Sequence, residues 1–217
     1  MVAVDNTPAR RREYRGPAFR AAPRGIARGK SASVTAGEPT PFERYSRFLR
    51  EELKPRIDAW FRTRPDAAHT GLMGSSLGGL CSLALAWEHP RTYGLIASLS
   101  GAFQFEKRHF LKNVLGQHHG RRKPLKIYLD SGFLDFRDDD GQRFTRSVAA
   151  ELRRIGWEDE VNLKHFVDTR LLTDLELAPL GVSPHKWREA RQSQHNELYW
   201  RLRVGRALGF LFAPNDR

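Results

Sequence analysis

No intrachain disulfide can form in this chain, because Cys81 is its only cysteine. Set within an apolar helical stretch, that thiol reads as a small packing residue and not as a redox group. No apolar run approaches the about 20 residues of a membrane span. Met1 leads at once into Val-Ala-Val-Asp, without the charged start and long apolar stretch of a secretory signal, so the chain reads as cytoplasmic. Metal and nucleotide spacings are missing as well. His118 and His119 are adjacent but lack companion ligands, no Walker-type glycine loop occurs, and "GSSLGG" does not have the dinucleotide-binding spacing. No metal or other cofactor is implied. Acid is in short supply, with 25 Asp plus Glu against 37 Lys plus Arg, a formal net charge of +12. Such a surface favours anionic partners. Much of the excess lies in residues 9–30, "ARRREYRGPAFRAAPRGIARGK", which hold seven Arg and one Lys against one Glu. Within the Pro- and Gly-rich stretch 7–40 this reads as a solvated arginine loop. A nucleic acid is the second class of partner, but no zinc spacing, helix-turn-helix pattern or aromatic RNA-binding motif supports it.

What is present suffices for one domain spanning 1–217: 40% hydrophobic residues, five Trp and 13 Phe. Residues 1–5 read as the end of a short apolar strand. From Pro41 a helical period places Phe42, Tyr45, Phe48, Leu49, Leu53, Ile57 and Trp60 largely on one face, with Pro55 kinking it near Leu53. Short apolar strands are expected at 70–73, 92–100, 125–130 and 160–168. Helices are expected after the glycine turn to about Trp87, around 105–115, over 141–156, and over 196–212 with Leu198, Leu202, Leu208, Leu211 and Phe212 inward. Strands alternating with helices predict an α/β fold with a mostly parallel sheet. In such sheets ligands and chemistry gather at the carboxyl ends of the strands.

Gly74-Ser75-Ser76-Leu77-Gly78-Gly79 lies between a predicted strand and a predicted helix. It is either a glycine-softened turn or a nucleophile elbow that presents Ser76, with glycines 74 and 78 allowing the sharp turn and close approach. In the second case the Leu77 amide, at a helix N-terminus, can meet a developing oxyanion. A serine nucleophile needs a base, and the base an orienting acid, in the order Ser, acid, His for this fold. After the strand "KIYLD" the chain reads "DSGFLDFRDDD", and "QHNELYW" places His195 before the last helix. All three stand at strand ends.

With these residues in place the chain resembles the esterase D and enterochelin-esterase group of α/β-hydrolases, which also holds feruloyl esterases and mycolyltransferase relatives. The match is carried by "VAVDN" with "REY", "EELKPRIDAWFRT", "GSSLGGL", "YLDSGFLD", and "HNELYW" with "ALGFLF". The resemblance implies an α/β-hydrolase-type three-layer sandwich, Ser76 as nucleophile, His195 as base and Asp135, the Asp of Gly-x-x-Asp, as acid. Asp130 then serves structure, and Asp138, Asp139 and Asp140 read as solvated charges at a helix start. His185 is the rival base. It lies in 169–194, a stretch long enough to form a flap, with Trp187 and Ser75 as substrate-contact candidates. The expected partner is a small-molecule ester, anionic by the charge balance, and neither a membrane nor a nucleic acid. Self-association as a homo-oligomer stays open. Acyl transfer to an alcohol and a catalytically impaired scaffold are the alternatives. The relatives carry three further strands before "VAVDN", so the resemblance implies that the strand next to the Ser76 strand is lacking.

Overall fold

Short apolar runs separated by helix-length polar and amphipathic stretches leave parallel pairing as the way to bury every run, and four such strands pair side by side. The computed structural model describes residues 1–16, 38–136, 138–181 and 192–212. The strands are β1 (Gly71–Ser75), β2 (Leu95–Leu99), β3 (Lys126–Ser131) and β4 (Leu163–Val167), all parallel and in the order β1-β2-β3-β4. Ser75 is level with Leu99, and Leu99 with Asp130, so the carboxyl ends of the first three strands form one edge.

Alternation along the strands divides the core between two faces. Ile96, Ile127, Leu129 and Leu163 pack with Leu80, Leu83, Val148 and Leu152 from α4 (Leu77–Glu88) and α6 (Gln142–Ile155). Leu95, Ala97, Leu99 and Tyr128 face the other way, under Ala207 and Leu211 of the last helix, α8 (Glu197–Leu211). Helices on both faces of a parallel sheet make the three-layer sandwich of the α/β-hydrolases.

The first long helical region starts on a capping box, in which Thr40 and Glu43 satisfy each other's backbone amides. It runs as α2 (Pro41–Arg47), a π-helical segment Phe48–Leu53, and α3 (Lys54–Trp60). The amide of Lys54 bonds the carbonyl of Leu49. Pro55 has no amide to offer Glu51 and its ring would crowd that carbonyl, so a widened turn takes the place of the expected kink.

Other expectations are corrected. Residues 1–5 form no strand, and Arg10–Glu13, within the expected loop, make a single helical turn, α1. The rest of that loop, 17–37, lies outside the described residues. In α5 (Phe105–His109) Glu106, Lys107 and Arg108 are left-handed, with φ of 50°, 54° and 66°, and right-handed helix resumes only at His109 and the π-helical segment Phe110–Leu115. Arg15 reaches Glu106 at 3.6 Å and Arg108 lies over the Phe144 ring, two contacts that tie this turn to its neighbours. A further short helix, α7 (Asp174–Leu177), follows β4 and carries its own capping box. β1 pairs with β2 alone among the described strands, so the strand that leads to Ser76 lies at the edge of the described sheet.

Candidate active site

Ser76 follows β1 directly and precedes the first residue of α4. Its backbone is left-handed, φ 54° and ψ −121°, a conformation that costs a non-glycine residue on the order of 1–3 kcal/mol. Its amide donates to the Leu99 carbonyl at 2.9 Å, and its carbonyl accepts from Gly79, Leu80 and Ala102, so the turn is held from both sides. A serine before a helix ordinarily bends its hydroxyl onto the first-turn amides. Here no such cap forms, and Oγ is left to reach outward. Close approach of α4 to β1 is set by Gly74 and Gly79. A Cβ at Gly74 would meet the Gly78 backbone, and one at Gly79 would meet Ser98 Oγ. A Cβ at Gly78 would meet nothing within 4 Å, so the small residues required are 74 and 79, not 74 and 78.

His195 is delivered by the segment before α8. Gln194 N–H donates to the Leu134 carbonyl at 2.7 Å and its side-chain oxygen accepts from Phe133 N–H. His195 N–H donates to Ser193 Oγ at 3.1 Å, and Asn196 caps α8 by accepting from Tyr199 N–H. This clamp sets the imidazole with Nε2 2.9 Å from Ser76 Oγ and Nδ1 2.5 Å from Asp140 Oδ1. The Trp200 ring meets it edge-on, centroids 5.0 Å apart. Because a carboxylate oxygen can only accept, Nδ1 carries the proton and Nε2 faces the serine hydroxyl as acceptor.

The carboxylate beside His195 is therefore Asp140, and not Asp135. Asp135 Oδ1 accepts from Ser193 Oγ at 2.7 Å, so it supports the loop that carries His195 without touching the ring. Asp138 is exposed and pairs with Arg143 at 2.8 Å, as a charge near a helix start would. Asp140 is 1% exposed. Gly141, left-handed at φ 71°, turns the chain into α6, and Asp140 before it is held on the Gly132 amide and the Ser100 hydroxyl. Leu77 opens α4, so its amide is one of those a helix leaves without an intrahelical acceptor. Ser75 ends β1 one residue before the turn. Trp187 and His185 lie outside the described residues, as does the stretch 182–191 of the proposed flap.

Behind Asp140 lies a charged cluster that the sequence reading missed. Arg203, 1% exposed, sends Nη1 to Asp130 Oδ1 at 3.0 Å and Nη2 to Ser100 Oγ at 2.9 Å, with Asp140 Oδ2 3.6 Å away. Burial pushes the Asp130 carboxyl up to about 6, against the pull of Arg203 and the Tyr128 hydroxyl. The signal was present in α8. Its buried stripe is Tyr199, Arg203, Ala207 and Leu211, four-residue spacing with an arginine inside it. Of the residues expected inward, Leu211 is buried, Leu198, Leu202 and Leu208 are half-buried, and Phe212 is exposed.

Known structures share this fold. The enterobactin esterase FES from Shigella flexneri superposes with a TM-score of 0.58 at 20% identity, over 78% of this chain and 38% of that one. A ferulic acid esterase gives 0.56 at 16%, over 77% and 60%. The BES protein from Bacillus cereus gives 0.50 at 17%, over 88% and 68%. The chain thus spans less than two-fifths of the enterobactin esterase it matches. No curated protein matches the chain. The family model described as "Putative esterase" matches residues 18–201, a span that holds Ser76, Asp140 and His195 together, and the chain belongs to that esterase family.

Proposed function

We propose that the protein hydrolyses carboxylic esters through an acyl-enzyme, with Ser76, His195 and Asp140 as its triad. The observation that carries this reading is the unbroken line from Ser76 Oγ through His195 to Asp140, at the carboxyl edge of the sheet. Ser76 Oγ attacks the ester carbonyl while His195 Nε2 takes its proton. Asp140 holds Nδ1–H and balances the imidazolium. The Leu77 amide faces the oxyanion as it forms. Collapse breaks the carbonyl–alkoxy bond, and the alcohol leaves with the proton from Nε2. Water then repeats the sequence on the acyl-serine, releasing the acid and restoring Ser76. The net charge of +12 supports an anionic ester as substrate.

A fluorophosphonate probe tests the reading. Ser76 should be the labelled residue, as peptide mass mapping would show, and Ser76→Ala should abolish both labelling and p-nitrophenyl acetate hydrolysis. Full labelling of the alanine variant would end it.

A further inference from the structure

Ser100 follows β2 in a left-handed conformation, φ 46°, that its side chain does not favour. Its amide is anchored on Asp130, to the carbonyl at 2.9 Å and to Oδ1 at 3.2 Å. The hydroxyl is surrounded by three groups. Trp200 Nε1 donates to it at 3.1 Å and Arg203 Nη2 at 2.9 Å, which occupies both of its lone pairs. Neither donor can accept, so the single hydroxyl proton has one place to go. It is donated to Asp140 Oδ2. The same oxygen accepts from the Gly132 amide at 2.6 Å. With Oδ2 filled by two donors, Oδ1 is the face of the carboxylate left for His195 Nδ1–H. The charged and titratable groups around Asp140 among the described residues are His195 and Arg203, with Asp130 and Tyr128 behind them on β3.

We propose that Ser100 is a positioning residue, whose hydroxyl, oriented by Arg203 and Trp200, fixes the Asp140 carboxylate and through it the His195 tautomer that faces Ser76. In this left-handed conformation the side chain lies between α8 and Asp140 while the amide pairs with Asp130 at the end of β3. The cluster joins elements distant in sequence, β2, β3 and α8, into one support behind the imidazole. This inference rests on the ester-hydrolase reading for its catalytic consequence, but the geometry it asserts can be read without turnover.

Ser100→Gly is the informative variant. Glycine suits the left-handed backbone better than serine does, so a residue kept for backbone shape alone would tolerate it. The proposal expects kcat for p-nitrophenyl acetate to fall at least about 10-fold with KM within about twofold, since no substrate contact is altered. Proton NMR of the wild-type chain should show a strongly deshielded His195 Nδ1–H, and ¹⁵N shifts should report Nε2 as the unprotonated nitrogen. In Ser100→Gly that proton signal should broaden or vanish and the nitrogen shifts converge towards a tautomer mixture. Trp200→Phe keeps an aromatic edge against His195 and removes one of the two donors. It should move both readouts in the same direction, and it decides the matter if Ser100→Gly does not fold. Unchanged kcat with an unchanged imidazole signal in a folded variant would overturn the proposal. A wild-type chain that neither hydrolyses ester nor takes up fluorophosphonate would sink the ester-hydrolase reading alone, and the NMR comparison would still decide the role of Ser100.

Discussion

Asp135 and Asp140 stand on one loop and make different bonds, so neutralising each separates holding the histidine from holding its loop. Asp140→Asn offers His195 Nδ1 an amide that can present a donor, which favours the wrong tautomer. In a serine triad that change lowers kcat by roughly 10³–10⁴-fold. Asp135→Asn keeps an acceptor oxygen for Ser193 Oγ and should cost less than about 10-fold by the same measure, because it touches no reacting atom. Steady-state kinetics on the two variants checks this. Equal losses would mean that the loop rearranges and that Asp135 replaces Asp140 in the working protein.

Elements carry two further expectations. α4 lies so close to β1 that Gly74→Ala would drive a methyl into the Gly78 backbone, where no side chain can swing away. It should destabilise the fold by about 1–3 kcal/mol, as overpacking does. Gly78→Ala meets open space inside a helix and should stabilise by up to about 1 kcal/mol. Urea unfolding of both variants would test the pair, and the reverse order would refute it. The sheet also carries two opposed titrations. Asp130 on β3 has its carboxyl raised by burial from 3.8 to about 6. Between these values the folded chain holds a proton the unfolded chain has lost, so this group lowers stability as pH rises from 4 to 6. His165 on β4 is pushed down from 6.5 to about 4, by burial first and then by Arg153 and Arg146, and its Nε2 is buried with no partner among the described residues. There the unfolded chain binds the proton first, so this group lowers stability as pH falls from 6.5 to 4. Relative to the wild-type chain, Asp130→Asn should therefore gain stability more steeply with pH across this window, and His165→Phe less steeply. Urea midpoints at pH 4.5 and 6.5 measure both, and slopes unchanged from the wild-type chain in both variants would contradict the two assignments.

Charge belongs to the whole molecule. The chain carries a net charge of +12, and the α1 arginines Arg10, Arg11 and Arg12 are all exposed. Replacing the three by Ala should lower the salt needed to elute the protein from heparin, since fewer counterions are released on binding. Hydrolysis of a short neutral ester should stay within about twofold. A large loss of hydrolysis with unchanged elution would place α1 at the active site and not in the basic field. The same scale bears on β1. It leads into the Ser76 turn and has a neighbour on one side only among the described strands, so the turn rests on α4, packed through Gly74 and Gly79, and on the β2 side, where Leu99 and Ala102 bond Ser76.

Local pattern determined much of this protein. Short continuous apolar runs gave the four strands, their alternation with helices gave the parallel sheet, and the small residues at 74–79 marked the strand–turn–helix on which Ser76 stands. His195 was legible because "QHNELYW" sets it immediately before a long helix. These features depend on near neighbours in sequence, which is where periodicity and capping act. The carboxylate was not legible in the same way. "DSGFLDFRDDD" offers several acids within a few residues, and which of them reaches His195 depends on how the loop folds between Gly132 and Gly141 against a segment some sixty residues later. Arg203 shows the same division. Its four-residue spacing from Tyr199 and Ala207 was written in the sequence, but a buried arginine is tolerable only where carboxylates wait for it. Asp130 and Asp140 come from other parts of the chain, and only the packed sheet and helix bring them to it.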